Sequence, residues 1–224
     1  MKQKDKILHL RKYLSEFTGT FVLVFCGTGA IIVNQLIPGV ITHPGISITF
    51  GLVVSVMIFA LGDISGAHLN PAVTLAFTFF RKFPLGLLLP YLISQILGAL
   101  LASVSLRMLF PENIMLGATL PAGSQMQSFV LECILTAILI LVIFNVSTGE
   151  KEKGITAAIA IGSVVALEAM FAGPVSGASM NPARSLAPAL VSGKTKGLWI
   201  YLTAPILGAL IGAFLHQLLH QKKS

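Results

Sequence analysis

The chain has 224 residues, of which 55% are hydrophobic and only 10% are charged, and its formal net charge is +7. This composition is too apolar for a soluble globular domain and is typical of a chain that crosses a membrane several times. The basic excess does not indicate a nucleic-acid-binding protein, because the basic residues flank apolar segments and no aromatic or glycine-rich nucleic-acid motif accompanies them.

Six apolar segments are long enough to cross a bilayer, whose hydrocarbon core of ~30 Å requires ~20 helical residues. They are residues 13–36, 42–61, 86–109, 127–147, 155–172 and 199–219. The first segment is expected to be retained as a span, because no small-residue cleavage site follows it. The sequence therefore predicts an all-α membrane protein with six transmembrane helices in a single domain over residues 1–224.

The basic residues are distributed unevenly between the two sides of the predicted membrane. Eleven lie on the side of the termini: Lys2, Lys4, Lys6, Arg11, Lys12, Arg81, Lys82, Lys151, Lys153, Lys222 and Lys223. Three lie on the other side: Arg107, Lys194 and Lys196. Because cytoplasmic loops are enriched in lysine and arginine, we expect an integral protein of the cell (inner) membrane with both termini in the cytoplasm.

A polar stretch in the first half of the chain recurs in the second half. Residues 64–76 and 175–187 agree at eight of thirteen positions without a gap, and this alignment places Asn181 opposite Asn70. A second pair of matching segments, 96–100 and 206–210, is separated by 110 positions, against 111 for the first pair. We interpret the chain as a duplication.

The two copies correspond to about residues 7–110 and 124–220. Each copy contains three predicted spans, an odd number. The second copy must therefore enter the membrane in the opposite orientation to the first, as an inverted repeat.

Each repeated stretch leads into an apolar segment of about ten residues, 72–80 in the first copy and 183–191 in the second. Ten helical residues reach ~15 Å, which is half a bilayer. Each segment is preceded by an asparagine suited to an N-cap and a proline suited to the first helical position. The two motifs are Asn70, Pro71, Ala72 and Asn181, Pro182, Ala183. We expect two re-entrant half-helices that stack end to end around a central pore.

The chemistry of such a pore follows from the ends of the half-helices. The side-chain NH₂ groups of Asn70 and Asn181 would be free to donate hydrogen bonds into the lumen. Two converging helix N-termini would disfavour cations. The preceding residues, 66–69 and 177–180, are expected to run extended and to present carbonyl acceptors. This arrangement suits small, uncharged, hydroxyl-bearing solutes.

The paired Asn-Pro-Ala motifs in a duplicated six-span chain resemble the aquaporin (major intrinsic protein) family over essentially the whole chain. Residues 171–186 are similar to the nodulin-like intrinsic proteins and their bacterial relatives, which conduct glycerol and neutral metalloid hydroxides such as boric and arsenous acid. Ser185 departs from glycerol facilitators, which have an aspartate there, and Leu202 departs from the tryptophan usual in water channels. The resemblance also implies a homotetramer in which each subunit has its own pore.

In that family four residues form an outer constriction. Gapless alignment to the motifs carries these positions onto Phe50, Ala169, Ala178 and Arg184. Water-selective members usually have a histidine at the position of Ala169, so alanine predicts a wider opening. An arginine inside a membrane is costly and is expected to be functional. Arg184 would repel cations and donate hydrogen bonds to passing oxygens.

Two carboxylates occupy matching places near the start of each copy, Glu16 and Glu132. Such residues could relay protons in a transporter. They could instead accept hydrogen bonds from main-chain N–H groups of the re-entrant segments, and the family resemblance favours this structural role. Glu168 lies beside Ala169 and has no acidic counterpart in the first copy, where Met57 stands; its orientation is left open.

The sequence therefore predicts a passive channel for water and small uncharged solutes that excludes ions and protons, not an enzyme. The alternatives are a strictly water-selective aquaporin and a coupled secondary transporter. No cofactor or metal is expected, because Cys26 and Cys133 lie in apolar runs. His216 and His220 are four residues apart, but they are expected to be solvated in a basic tail.

Overall fold

The computed structural model describes residues 3–148 and 155–220, which form eight helices and no β-strand. The helices are α1 (Gln3–Leu36), α2 (Thr42–Ser65), α3 (Pro71–Phe79), α4 (Leu85–Leu109), α5 (Gln125–Thr148), α6 (Ile155–Ser176), α7 (Pro182–Ser192) and α8 (Leu198–Leu219). The lysines at positions 2, 151, 153, 222 and 223, which contribute to the predicted orientation, lie outside the described residues.

Six of these helices, α1, α2, α4, α5, α6 and α8, are long and apolar enough to cross a membrane. The predicted fold class is confirmed. The largest difference is at the start of α1, which begins at Gln3, well before the predicted span. The residues before position 13 include charged ones such as Lys6 and Arg11, which is why the apolar segment starts only after them. Lysine and arginine are good helix formers, so the helix itself begins earlier than the apolar segment.

The outward faces of the long helices carry large apolar side chains. On α2, for example, Leu52, Val56 and Phe59 are exposed and lie on one side of the helix. A soluble protein rarely leaves so much contiguous apolar surface uncovered. This surface is suited to contact with lipid acyl chains.

The helices pack in two matching sets. In the first half α1 contacts α4 and α2, in the second half α5 contacts α8 and α6, and the contact of α2 with α6 joins the halves. Glycines allow the closest approaches: a Cβ atom on Gly98 would meet the carbonyl oxygen of Phe17, and one on Gly208 would meet that of Cys133. Gly98 and Gly208 occupy matching positions of the duplicated sequence, so the same contact occurs once in each half.

The short helices α3 and α7 begin at the predicted prolines. The Asn70 side-chain oxygen accepts a hydrogen bond from the main-chain N–H of Ala72 at 2.9 Å, and Asn181 accepts one from Ala183 at 3.0 Å. Both asparagines are therefore N-caps, and the half-helices α3 and α7 contact each other inside the bundle.

The end of α8 is more buried than we predicted. His216 is only 8% exposed, stacks on His220 with ring centroids 4.3 Å apart, and lies edge-on to Phe144 of α5. The expectation of a solvated His216 is wrong, because α8 continues as a regular helix to Leu219 and stays packed against α5.

Candidate functional site

The N-termini of α3 and α7 are joined by two reciprocal hydrogen bonds. The Asn70 side-chain amide donates to the Met180 carbonyl oxygen at 2.7 Å, and the Asn181 amide donates to the Leu69 carbonyl oxygen at 2.9 Å. Each amide group has two hydrogens, so one is used in this contact and one is left for the cavity that both residues line. The bond from each amide to the opposite half of the chain was not predicted from the sequence.

The segments before the two motifs are not extended, contrary to our prediction. Ala67 and Leu69 have φ angles of 45° and 50°, and their counterparts Ala178 and Met180 have φ angles of 41° and 52°. Successive N–H groups of an extended chain point in opposite directions. Left-handed residues at alternate positions turn consecutive N–H groups toward one acceptor instead.

That acceptor in the first half is Glu16 of α1. Its carboxylate accepts hydrogen bonds from the main-chain N–H groups of His68 and Leu69 at 2.9 and 2.8 Å. It also accepts hydrogen bonds from the side chains of Ser65 and Gln95, both at 2.8 Å. Four donors around one buried carboxylate compensate for its removal from water.

Glu132 of α5 has matching surroundings in the second half, except that Pro205 stands where the first half has the donor Gln95. It accepts hydrogen bonds from the N–H groups of Ser179 and Met180, both at 2.9 Å, and from the Ser176 hydroxyl at 2.7 Å. Glu16 and Glu132 are fully buried, and neither is among the residues that line the cavity. This geometry favours the structural role for both carboxylates over a proton relay.

Two tyrosines complete the support of the re-entrant segments, and sequence reasoning did not identify them. The Tyr91 hydroxyl donates to the Ser65 carbonyl oxygen at 2.8 Å, and the Tyr201 hydroxyl donates to the Ser176 carbonyl oxygen at 2.6 Å. Tyr91 and Tyr201 occupy matching positions of the two copies, at the spacing that already marked the duplication. That spacing is the signal by which they could have been found.

The four residues carried over from the family's outer constriction all line one cavity: Phe50, Ala169, Ala178 and Arg184. Arg184 is 2% exposed and donates a hydrogen bond to the Gly117 carbonyl oxygen at 2.8 Å. Its guanidinium carbon lies 5.1 Å from the centroid of the Phe50 ring, within the range of a cation–π contact. The arginine is therefore fixed by an aromatic ring and a main-chain carbonyl.

A chain of hydroxyl groups joins α7 to the α4–α5 connection that carries Gly117. Thr119 donates to the Ser185 hydroxyl at 2.7 Å, and the Ser185 and Ser179 hydroxyls are 2.6 Å apart. Ser179 in turn donates to the Asn181 carbonyl oxygen at 2.9 Å. No pattern in the sequence indicates this network, because Thr119 lies in an irregular loop outside both motifs.

Glu168 differs from the other buried carboxylates. It is 0% exposed, neither of its carboxylate oxygens has a hydrogen-bond partner among the described residues, and it is not among the residues that line the cavity. An ionised carboxylate without a partner is very unfavourable in such a place. Glu168 therefore packs inside the bundle and takes no part in the hydrogen bonding that supports the re-entrant segments.

Comparison with known proteins agrees with this geometry. Residues 3–216 match the sequence profile of the family described as "Major intrinsic protein". Nodulin-26 of Glycine max is 47% identical over 93% of this chain and 78% of its own length. Aquaporin NIP1-1 of Arabidopsis thaliana is 45% identical over 96% of this chain and 77% of its own length.

A solved structure has the same fold. The X-ray structure of the aquaglyceroporin from Plasmodium falciparum superposes with a TM-score of 0.84 and 28% sequence identity, covering 92% of this chain and 95% of that one. With six apolar spans, two half-helices that meet at paired Asn-Pro-Ala motifs, and a match to the family profile over nearly its whole length, this chain belongs to the major intrinsic protein (aquaporin) family of transmembrane channels.

Proposed function

We propose that the protein is a passive channel for water and for small uncharged solutes of the glycerol class. The observation that carries this proposal is the make-up of the outer end of the cavity. Two of its four constriction residues, Ala169 and Ala178, are alanines. Two methyl groups fill less of the opening beside Phe50 and Arg184 than the histidine usual in water-selective members would.

The cavity wall has the two-sided chemistry that a polyol needs. Hydrogen-bond donors come from Arg184 and from the amides of Asn70 and Asn181. The rest of the wall is largely apolar and includes Leu23 and Val54. A polyol can turn its hydroxyl groups toward the donors and its carbon chain toward the apolar side, so it loses little by leaving water.

Exclusion of ions and protons is part of the proposal. Arg184 is the one lysine or arginine among the described residues that line the cavity, and it is held inside the bundle. A fixed positive charge and two converging helix N-termini raise the energy of any cation in the passage. Neutral solutes do not experience this barrier.

The relatives support the solute class. The similar Plasmodium falciparum protein is named an aquaglyceroporin, and the similar plant proteins are named as an aquaporin of the NIP group and as nodulin-26. We include neutral metalloid hydroxides such as boric acid among the proposed solutes, because they present several hydroxyl groups on a small uncharged centre.

Two alternatives have specific requirements. Water-selective members of the family usually have a histidine where Ala169 stands, and alanine leaves that space open. A coupled secondary transporter requires a group in the passage that binds and releases a proton or ion. Among the described residues that line the cavity, none carries a carboxylate, and the one histidine, His68, is held by Thr74 Oγ1 at 3.1 Å and by the Phe77 ring. Glu16 and Glu132 are occupied by the donors of the re-entrant segments, which favours the channel.

The test is stopped-flow light scattering on proteoliposomes. Wild-type vesicles are expected to shrink rapidly in an impermeant osmolyte and to re-swell rapidly in glycerol. Filling the opening with Ala169→His and Ala178→Phe should abolish glycerol entry, while Ala60→Val, an exposed change on α2 outside the cavity lining, serves as the control. Glycerol entry that survives the double substitution would refute the proposed opening.

We further propose that four such subunits assemble into a homotetramer in the cell (inner) membrane. Each subunit would have its own pore, formed by the inverted repeats at about residues 7–110 and 124–220, with both termini in the cytoplasm. Native mass spectrometry in mild detergent tests the assembly. Labelling of single cysteines placed at each terminus, in intact and permeabilised cells, tests the orientation. A monomer, or terminal cysteines labelled in intact cells, would contradict these points.

A further inference from the structure

Phe50 on α2 packs against a glycine on α1. A Cβ atom placed on Gly27 would lie 2.5 Å from Cζ and 2.6 Å from Cδ1 of the Phe50 ring, and Cε1 would be closer still. Carbon atoms that are not bonded to each other do not approach so closely in folded proteins. The ring therefore occupies the space that a side chain at position 27 would fill.

The adjacent face of α2, where Gly51 lies, is also closed. A Cβ atom on Gly51 would lie 2.5 Å from both the Ala166 Cβ atom and the Gly162 carbonyl oxygen on α6. The main chain at residues 50 and 51 is therefore held between α1 and α6. It has no room to withdraw from α1 if the space at position 27 were filled.

The remaining direction is the cavity. Phe50 lines it, and the ring already lies 5.1 Å from the Arg184 guanidinium carbon. A ring displaced from Gly27 would move toward Arg184 and into the opening between them.

We propose that Gly27 is a specificity-determining residue: by leaving space for the Phe50 ring beside α1, it sets the width of the outer opening. Gly27 touches no solute and acts through Phe50, so it is a positioning residue. The inference rests on the proposed function, since it explains how the same opening admits a polyol as well as water. It assigns a selectivity role to a residue outside the four constriction positions.

The test compares Gly27→Ala with Gly29→Ala in proteoliposomes. The two glycines lie on the same helix, but a Cβ atom on Gly29 would meet only Leu106 Cδ2, at the ordinary contact distance of 3.4 Å. Gly29→Ala should therefore leave both fluxes unchanged. One added methyl group in a fitted site changes discrimination by roughly tenfold or more, so Gly27→Ala should reduce glycerol permeability by about that factor and water permeability much less.

A rescue variant separates positioning from damage to the fold. Phe50→Leu in the Gly27→Ala background removes the displaced ring and should restore glycerol permeability. Gly27→Ala that behaves like Gly29→Ala would overturn the inference. So would a loss of both fluxes that Phe50→Leu does not restore, which would mean that position 27 is needed only for folding. Neither result affects the proposed function, which is tested separately by glycerol entry through the wild-type protein.

Discussion

Asn70 and Met180 lie in opposite halves of the sequence and are joined in the middle of the bundle by a hydrogen bond of 2.7 Å from the asparagine amide to the methionine carbonyl oxygen. Asn181 makes the reciprocal bond to Leu69. Because each asparagine also caps its own half-helix, one side chain fixes both the start of a helix and the position of the opposite segment. The two re-entrant segments therefore form one structural unit.

Removing one of these side chains should weaken the whole unit. Replacing an N-cap asparagine by alanine costs ~1 kcal/mol, and the lost bond to Met180 adds about the same. We therefore expect Asn70→Ala to lower the free energy of unfolding by about 2 kcal/mol and to reduce water flux. Thermal unfolding in detergent measures the first effect. Asn145→Ala is the matched control, because that exposed side chain donates to the Leu141 carbonyl oxygen within α5; equal losses in both variants would contradict the account.

The carboxylate of Glu132 should not tolerate replacement by its amide. A glutamine presents one acceptor oxygen and an NH₂ group to three donors, so at least one buried donor loses its partner and meets another donor. Hydrogen bonds to charged groups contribute roughly 1.5–3 kcal/mol each. Glu132→Gln is therefore expected to unfold at a clearly lower temperature and to accumulate poorly in the membrane. Glu112→Gln, an exposed change in the α4–α5 connection, should behave as wild type. An unaffected Glu132→Gln protein would argue against the supporting role.

Arg184 should control ion exclusion more than solute passage. Arg184→Val removes the fixed charge and installs the residue that the first copy has at the matching position, Val73. Without the cation, the barrier to protons and small cations falls while the passage stays open. We expect faster decay of an imposed pH gradient in dye-loaded proteoliposomes, with glycerol flux retained. Lys196→Val, an exposed change on the predicted outer side, should leave the gradient intact. If vesicles with Arg184→Val hold the pH gradient as long as wild-type vesicles do, Arg184 is not the residue that excludes ions.

Glu168 should be dispensable as an acid. Its carboxyl group is buried without a hydrogen-bond partner among the described residues, so a neutral group of similar shape loses nothing. Glu168→Gln is expected to keep wild-type fluxes, and the better-packed Glu168→Leu to unfold at an equal or higher temperature, since an unsatisfied buried polar group costs ~1–3 kcal/mol. A loss of flux in Glu168→Gln with the fold intact would instead indicate a role for the acid in transport.

Much of the fold could be predicted because its signals are local or repeated. Apolar runs indicated the six spans, and the Asn-Pro pairs indicated the starts of α3 and α7 to the residue. The pairing of Glu16 with the re-entrant segment could also be anticipated. A buried segment without secondary structure must find partners for its N–H groups.

What could not be predicted depends on contacts between distant parts of the chain. The left-handed conformation of Ala67 and Leu69 is unfavourable for these residues and is imposed by the carboxylate of Glu16, which binds consecutive N–H groups. The hydrogen bond from Arg184 to Gly117 could not be predicted either, because Gly117 lies in a loop whose sequence has no periodic pattern. His216 is buried because α8 packs on α5. The basic residues that follow it in the sequence indicated a solvated tail instead.

The most direct test of the central claim is the glycerol permeability of the wild-type protein, measured by stopped-flow light scattering in the same vesicles that report its water permeability. A passage with Ala169 and Ala178 at its proposed constriction should let glycerol in far faster than protein-free vesicles do, alongside rapid water flow. Rapid water flow with glycerol entry no faster than through bare lipid would contradict the account, because it would mean that Phe50 and Arg184 close the opening that the alanines leave.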